Sequence, residues 1–131
     1  MGTKICLTPR QSKKFIKLGL DFNTADMYYS LKNPIHAEVL YNHCDKSFFD
    51  IREWIPAWSL NALLNLMPSI IRLRDHSFTI HIGKLADEEH WYISYEWEGH
   101  VYQVSKGTLI NAAFEMVVWL IEQRHIKTNK Q

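Results

Sequence analysis

Apolar residues along the chain recur either every three to four positions or every second position, and the changes between these periods mark out its elements. In "TPRQSKKFIKLG", Phe15 and Leu18 fall on one face with Ser12, and Ile16 lies beside them. Thr8 supplies a cap, Pro9 suits the first helical position, Gln11 completes a capping box and Gly19 suits the left-handed turn that ends a helix. The spacing predicts a helix over 9–18 with its lysines toward water. A second helix is predicted over 59–67: Ser59 caps it, Trp58 staples against Leu63, and Leu60, Leu63, Leu64 and Met67 form a stripe ahead of Pro68. This stripe reads as a buried core face in preference to an exposed docking face. The last helix follows Thr108, with Leu109, Ala112, Ala113, Met116, Val117, Leu120 and Ile121 as a wide apolar face and Trp119 at its edge.

Between these helices the period falls to two. "HSFTIHIG" (76–83) alternates Phe78, Ile80 and Ile82 with polar residues, "HWYISYEW" (90–97) alternates Trp91, Ile93, Tyr95 and Trp97, and Glu98-Gly99 makes a tight turn into "HVYQVS" (100–105). Earlier, "TADMYYSL" (24–31) and "HAEVLYN" (36–42) read as two strands paired across "KNP". Residues 43–57 carry weak periodicity and read as a short helix or a loop packed through Phe48, Phe49 and Trp54. The expected fold is α+β: an antiparallel three-stranded meander with helices packed on one face, plus an N-terminal helix and a short hairpin. At 131 residues it forms a single domain, 1–131, with 126–131 a frayed tail.

Composition narrows the classes without selecting one. A 47% apolar share supports a core, and a formal charge of +1 gives no global pull toward nucleic acid or an anionic membrane. Locally, Arg10, Lys13, Lys14 and Lys17 gather on the first helix, while Asp87, Glu88 and Glu89 gather in a turn. Two cysteines, Cys6 and Cys44, are too few for a disulfide framework. No apolar segment resembles a signal peptide, and "AAFEMVVWLI" is broken by Glu115. A soluble protein of the reducing cytoplasm is the expectation.

His36, His43 and Cys44 lie close in sequence but complete no zinc spacing, and His76 and His81 fall on opposite strand faces, so no metal is expected. A Cys44 nucleophile with Asp50 or Glu53 has no local motif behind it, and the acids at 87–89 read as a solvated turn, so binding is favoured over catalysis. Without a phosphate-binding loop, and with Gly83, Gly99 and Gly107 placed at strand ends or turns, no cofactor is implied. Helix, three strands and helix is also the order of double-stranded-RNA-binding domains, but Lys106, Thr108, Asn111 and Glu115 provide little of the positive charge such a domain needs. Weak nucleic-acid binding through Lys13, Lys14 and Lys17 is therefore the alternative reading. The leading one is an accessory or protein-interaction module, with Tyr92, Tyr102 and His81 displayed on the sheet face away from the helices for a protein partner or a second copy.

"TPRQSKKFIKLGLDFNTADMYY", "PAWSLNALLNLMP" and "TLINAAFEMVVWLIEQRHI" together resemble small uncharacterised proteins of Bacteroidales genomes and their phages or mobile elements. The resemblance implies one continuous domain in a bacterial intracellular setting, and carries over no catalytic residue or ligand.

Overall fold

Helix α1, Pro9–Leu18, forms where the capping chemistry places it. The Gln11 backbone N–H donates to Thr8 Oγ1 at 3.2 Å, and the Thr8 N–H donates to Gln11 Oε1 at 3.0 Å. Gly19 closes the helix at φ 87°, a conformation open to glycine because no Cβ meets the following carbonyl. The computed structural model describes residues 6–30, 33–39 and 54–129. The remaining strands and helices are β1 (Met27–Ser30), β2 (Asn33–Val39), β3 (Trp54–Ala57), α2 (Leu60–Leu66), β4 (Ile70–Leu73), β5 (His76–Lys84), β6 (Trp91–Trp97), β7 (His100–Lys106) and α3 (Leu109–Glu122).

The chain is α+β, but the expected three-stranded meander is incorrect: the larger sheet has four antiparallel strands in the order β4-β5-β6-β7. The added strand β4 pairs with β5 through Leu73↔His76 and Ile71↔Phe78 across the two-residue turn Arg74-Asp75. Both turn residues are left-handed, with φ 51° and 66°, the backbone twist that suits a tight hairpin. Because a β-branched side chain is strained there, Asp75→Val is expected to lower stability by about 1–2 kcal/mol, read as a shift in the urea midpoint.

A second sheet has the order β2-β1-β3. The β1–β2 hairpin is present, with Met27↔Val39 and Tyr29↔Ala37 in register. Residues 54–57, read from sequence as part of a helix or loop, are instead strand β3, pairing with β1 through Tyr28↔Pro56. Proline is tolerated because β3 lies at the sheet edge, where a ladder donor is dispensable. The rest of the 43–57 segment, with Phe48 and Phe49, lies outside the described residues.

The helices also differ from the expected arrangement. Only α3 lies broadly across the larger sheet, over β6 and β7; α2 is pressed chiefly against α3, and α1 against β3 and α3. The α2 stripe is buried as expected, with Leu63 and Met67 inside and Leu60 and Leu64 packed partly against the same cluster. Ser59 caps α2, its Oγ accepting from the Ala62 N–H at 3.2 Å. The Asp26 carboxylate accepts from both the Ser59 N–H and the Ser59 hydroxyl, fastening the start of α2 to the loop before β1.

Among the described residues two apolar clusters result. The larger contains Phe15, Trp58, Leu63, Ile93, Tyr95, Met116 and Leu120; the smaller gathers Cys6, Met27, Tyr29, Ile55 and Ala57, with Ile16 against it. The expected fraying from residue 126 does not hold through Asn129. Ile126 is buried, and the Asn129 N–H donates to the Gly19 carbonyl at 2.7 Å.

Candidate functional site

Two-residue turns at Arg74-Asp75 and Glu98-Gly99 lie at the same end of the larger sheet, because antiparallel pairing sets the start of β5 beside the end of β6. Consequently His76 opening β5, Trp97 closing β6 and His100 opening β7 lie together on the helix-covered face, with Trp97 directly opposite His100 and His76 diagonal to Trp97. The His76 ring stacks on Trp97 with centroids 3.8 Å apart and 17° between planes, and His100 stacks at 5.5 Å and 18°. The two imidazoles come from the strands that flank β6 on either side. In the next row Tyr102 stacks on Trp119 of α3 at 3.8 Å and 12°.

His76, Trp97, His100 and Trp119 line a cleft of about 480 Å³ together with Leu73, Arg74, Phe78 and Gln123. Its apolar part is held rigid by ring stacking, and its polar part comes from a guanidinium, two imidazoles and an amide. Among the described residues no carboxylate lines it: Asp75, Glu98 and Glu122 adjoin lining residues in sequence but are not among them. Such a lining can hold and orient a group with an apolar body and a hydrogen-bond-accepting or anionic end.

Close by, His125 lies 5.8 Å from Trp119, and its Nε2 is buried without a hydrogen-bond partner among the described residues. Burial holds its pKa below the ordinary histidine value. The folded protein therefore takes up this proton less readily than the unfolded chain, so the contribution is complete above about pH 6.5 and is lost as pH falls below it. Melting temperatures measured from pH 7.5 to 5 are expected to fall less steeply for His125→Leu than for the wild type.

The three residues expected to form one interaction surface are divided between two faces. The register pairs Tyr95 with Tyr102 and Tyr92 with Ser105, so Tyr102 joins the helix-covered side while Tyr92 and His81 stay on the opposite one. Placing Tyr102 on the open face is thus corrected by its stack on Trp119. Burial raises the Tyr102 pKa, with smaller contributions from Glu115 and Glu122. Tyr92 closes over Gly83, where an added Cβ would meet its ring at 3.0 Å, and exposed His81 has Nε2 3.3 Å from Thr79 Oγ1.

Lys13, Lys14 and Lys17 do come together. With Arg10 and Gln11 they line a groove of about 600 Å³ between α1 and α3, bounded by Phe114, Glu115 and Val118. Phe114 stacks on Phe15 at 5.1 Å, and Gln11 Nε2 donates to Asn111 Oδ1 at 3.1 Å beside it.

The acids at 87–89 form a local turn. Asp87 accepts from the Glu89 N–H at 2.8 Å and lies 2.8 Å from His90 Nδ1, contacts that hold its carboxyl below the usual range. His43, Cys44, Asp50 and Glu53 lie outside the described residues, and for His36 only the backbone in β2 is described. Among the described residues no three metal-binding side chains gather, and no helix is long and apolar enough to cross a membrane. Neither a protein-family model, nor a curated protein, nor a solved structure matches the chain.

Proposed function

We propose that the protein is an accessory binding module and that its recognition site is the cleft at the end of the larger sheet. The observation that carries this reading is the His76–Trp97–His100 stack, which lines the cleft with Trp119 and joins an apolar lining to several polar groups. Aromatic lining supplies large contact area at small entropic cost, and stacking fixes it before a ligand arrives. The test is a two-dimensional NMR screen of the full chain against a library of small fragments and short peptides. Shifts concentrated on Arg74, His76, Trp97, His100 and Trp119 are expected; hits confined to other surfaces reject the cleft as the recognition site.

A second reading has its own observation, the line of Arg10, Lys13, Lys14 and Lys17 along the α1–α3 groove. On this reading the groove follows a nucleic-acid backbone, with affinity that falls steeply as salt rises. Charge reversal at Lys13, Lys14 and Lys17 removes that signal, and absence of any low-salt binding to DNA or RNA rejects the reading. A cytoplasmic setting rests on the sequence having two cysteines, too few for a disulfide framework. A bacterial or phage setting rests on the sequence resemblance alone.

A further inference from the structure

We infer that the cleft takes a planar aromatic carboxylate, an inference that rests on the proposed recognition site. The lining is asymmetric in chemistry. Leu73, Phe78, Trp97 and Trp119 offer apolar surface suited to a flat ring, whereas Arg74, His76, His100 and Gln123 are the polar members. Every one of these four presents an N–H: the guanidinium offers a planar fork, the amide two donors, and imidazole at least one in either protonation state. Arg74 carries a permanent positive charge on a tight turn at the cleft. A carboxylate matches the arginine fork by accepting two parallel hydrogen bonds, and among the described residues no lining carboxylate competes for it.

The ring stacks bear on the shape of the guest. Trp97 is stacked with both His76 and His100, and Trp119 with Tyr102. A guest ring therefore packs beside rings already stacked on one another, against apolar surface from Leu73, Phe78, Trp97 and Trp119. The cleft volume of about 480 Å³ accommodates one fused ring system with its acid group at the arginine side. Two sources share this chemistry: a free aromatic acid, and the C-terminal aromatic residue of a partner chain.

The test is NMR titration of the full chain with 2-naphthoate, with its uncharged analogue 2-naphthamide, and with N-acetyl-Ala-Phe bearing a free carboxylate. The expected result is binding at the cleft by an acid, with naphthamide weaker than naphthoate by about tenfold to a hundredfold. Arg74→Gln should reduce that preference while leaving naphthamide affinity in place. Tighter binding of the dipeptide than of naphthoate assigns the site to a chain end, and the reverse assigns it to a small acid; either supports the inference. Equal binding of naphthamide and naphthoate at the cleft overturns the carboxylate while the recognition site stands. If no probe perturbs the cleft, the inference falls, and the fragment screen separately decides the site.

Discussion

Replacing Trp58 with alanine is expected to cost about 3–5 kcal/mol of folding free energy, a large part of the stability of a domain this size. Trp58 is fully buried where α1, α2 and β3 meet. Its indole N–H donates to Thr24 Oγ1 at 2.9 Å, and its ring meets Phe15 edge-on at 5.1 Å. Alanine removes the ring, opens a cavity beside Phe15 and leaves the Thr24 hydroxyl without its donor. Trp58→Phe separates these effects, because it keeps an aromatic ring and loses the N–H. Urea denaturation should therefore rank wild type above Trp58→Phe and Trp58→Ala lowest, and an alanine variant within 1 kcal/mol of wild type would contradict the packing described.

The second large effect is expected at Tyr95. This residue is fully buried at the centre of the larger sheet, opposite Ile80 on one side and Tyr102 on the other. Its hydroxyl donates to the Pro68 carbonyl at 2.6 Å, joining the sheet to the segment that follows α2. Burial raises its pKa, so the hydroxyl remains a donor at neutral pH. Tyr95→Ala is expected to cost about 3–5 kcal/mol, by the cavity it leaves, and Tyr95→Phe about 1 kcal/mol, by the lost hydrogen bond. The difference between the two variants measures ring packing apart from the Pro68 contact.

The helices were legible because each announces its start with a hydroxyl cap: Thr8, Ser59 and Thr108 all accept from a backbone N–H three residues on. Strand β4 was hidden for two reasons. "IIRL" is too short to establish a period, and Arg74-Asp75 lacks the glycine or asparagine that normally marks a left-handed turn. Strand β3 was masked by Pro56, which argues against a central strand and is acceptable only once the edge position is known.

The candidate site was only half visible. His76 and His100 each open a strand expected from the alternation, but no short-range pattern links either with Trp97. The link is register: a two-residue turn at Glu98-Gly99 pairs Trp97 with His100 and therefore Tyr95 with Tyr102. That arithmetic was available in the sequence and would have placed Tyr102 on the helix side. The contribution of Trp119 was not available, because it depends on how α3 crosses the sheet. The basic groove shows the converse, since Lys13, Lys14 and Lys17 were visible on one helix whereas Phe114 and Val118 come from another.

Neighbouring residues of α1 serve different interiors, Phe15 entering the larger cluster and Ile16 packing against the smaller. The helix thus works as a hinge pin held in two leaves, and withdrawing it would unseat both. Loss of α1 is consequently a thermodynamic event for the two sheets together, giving them a common melting transition even though they share no strand.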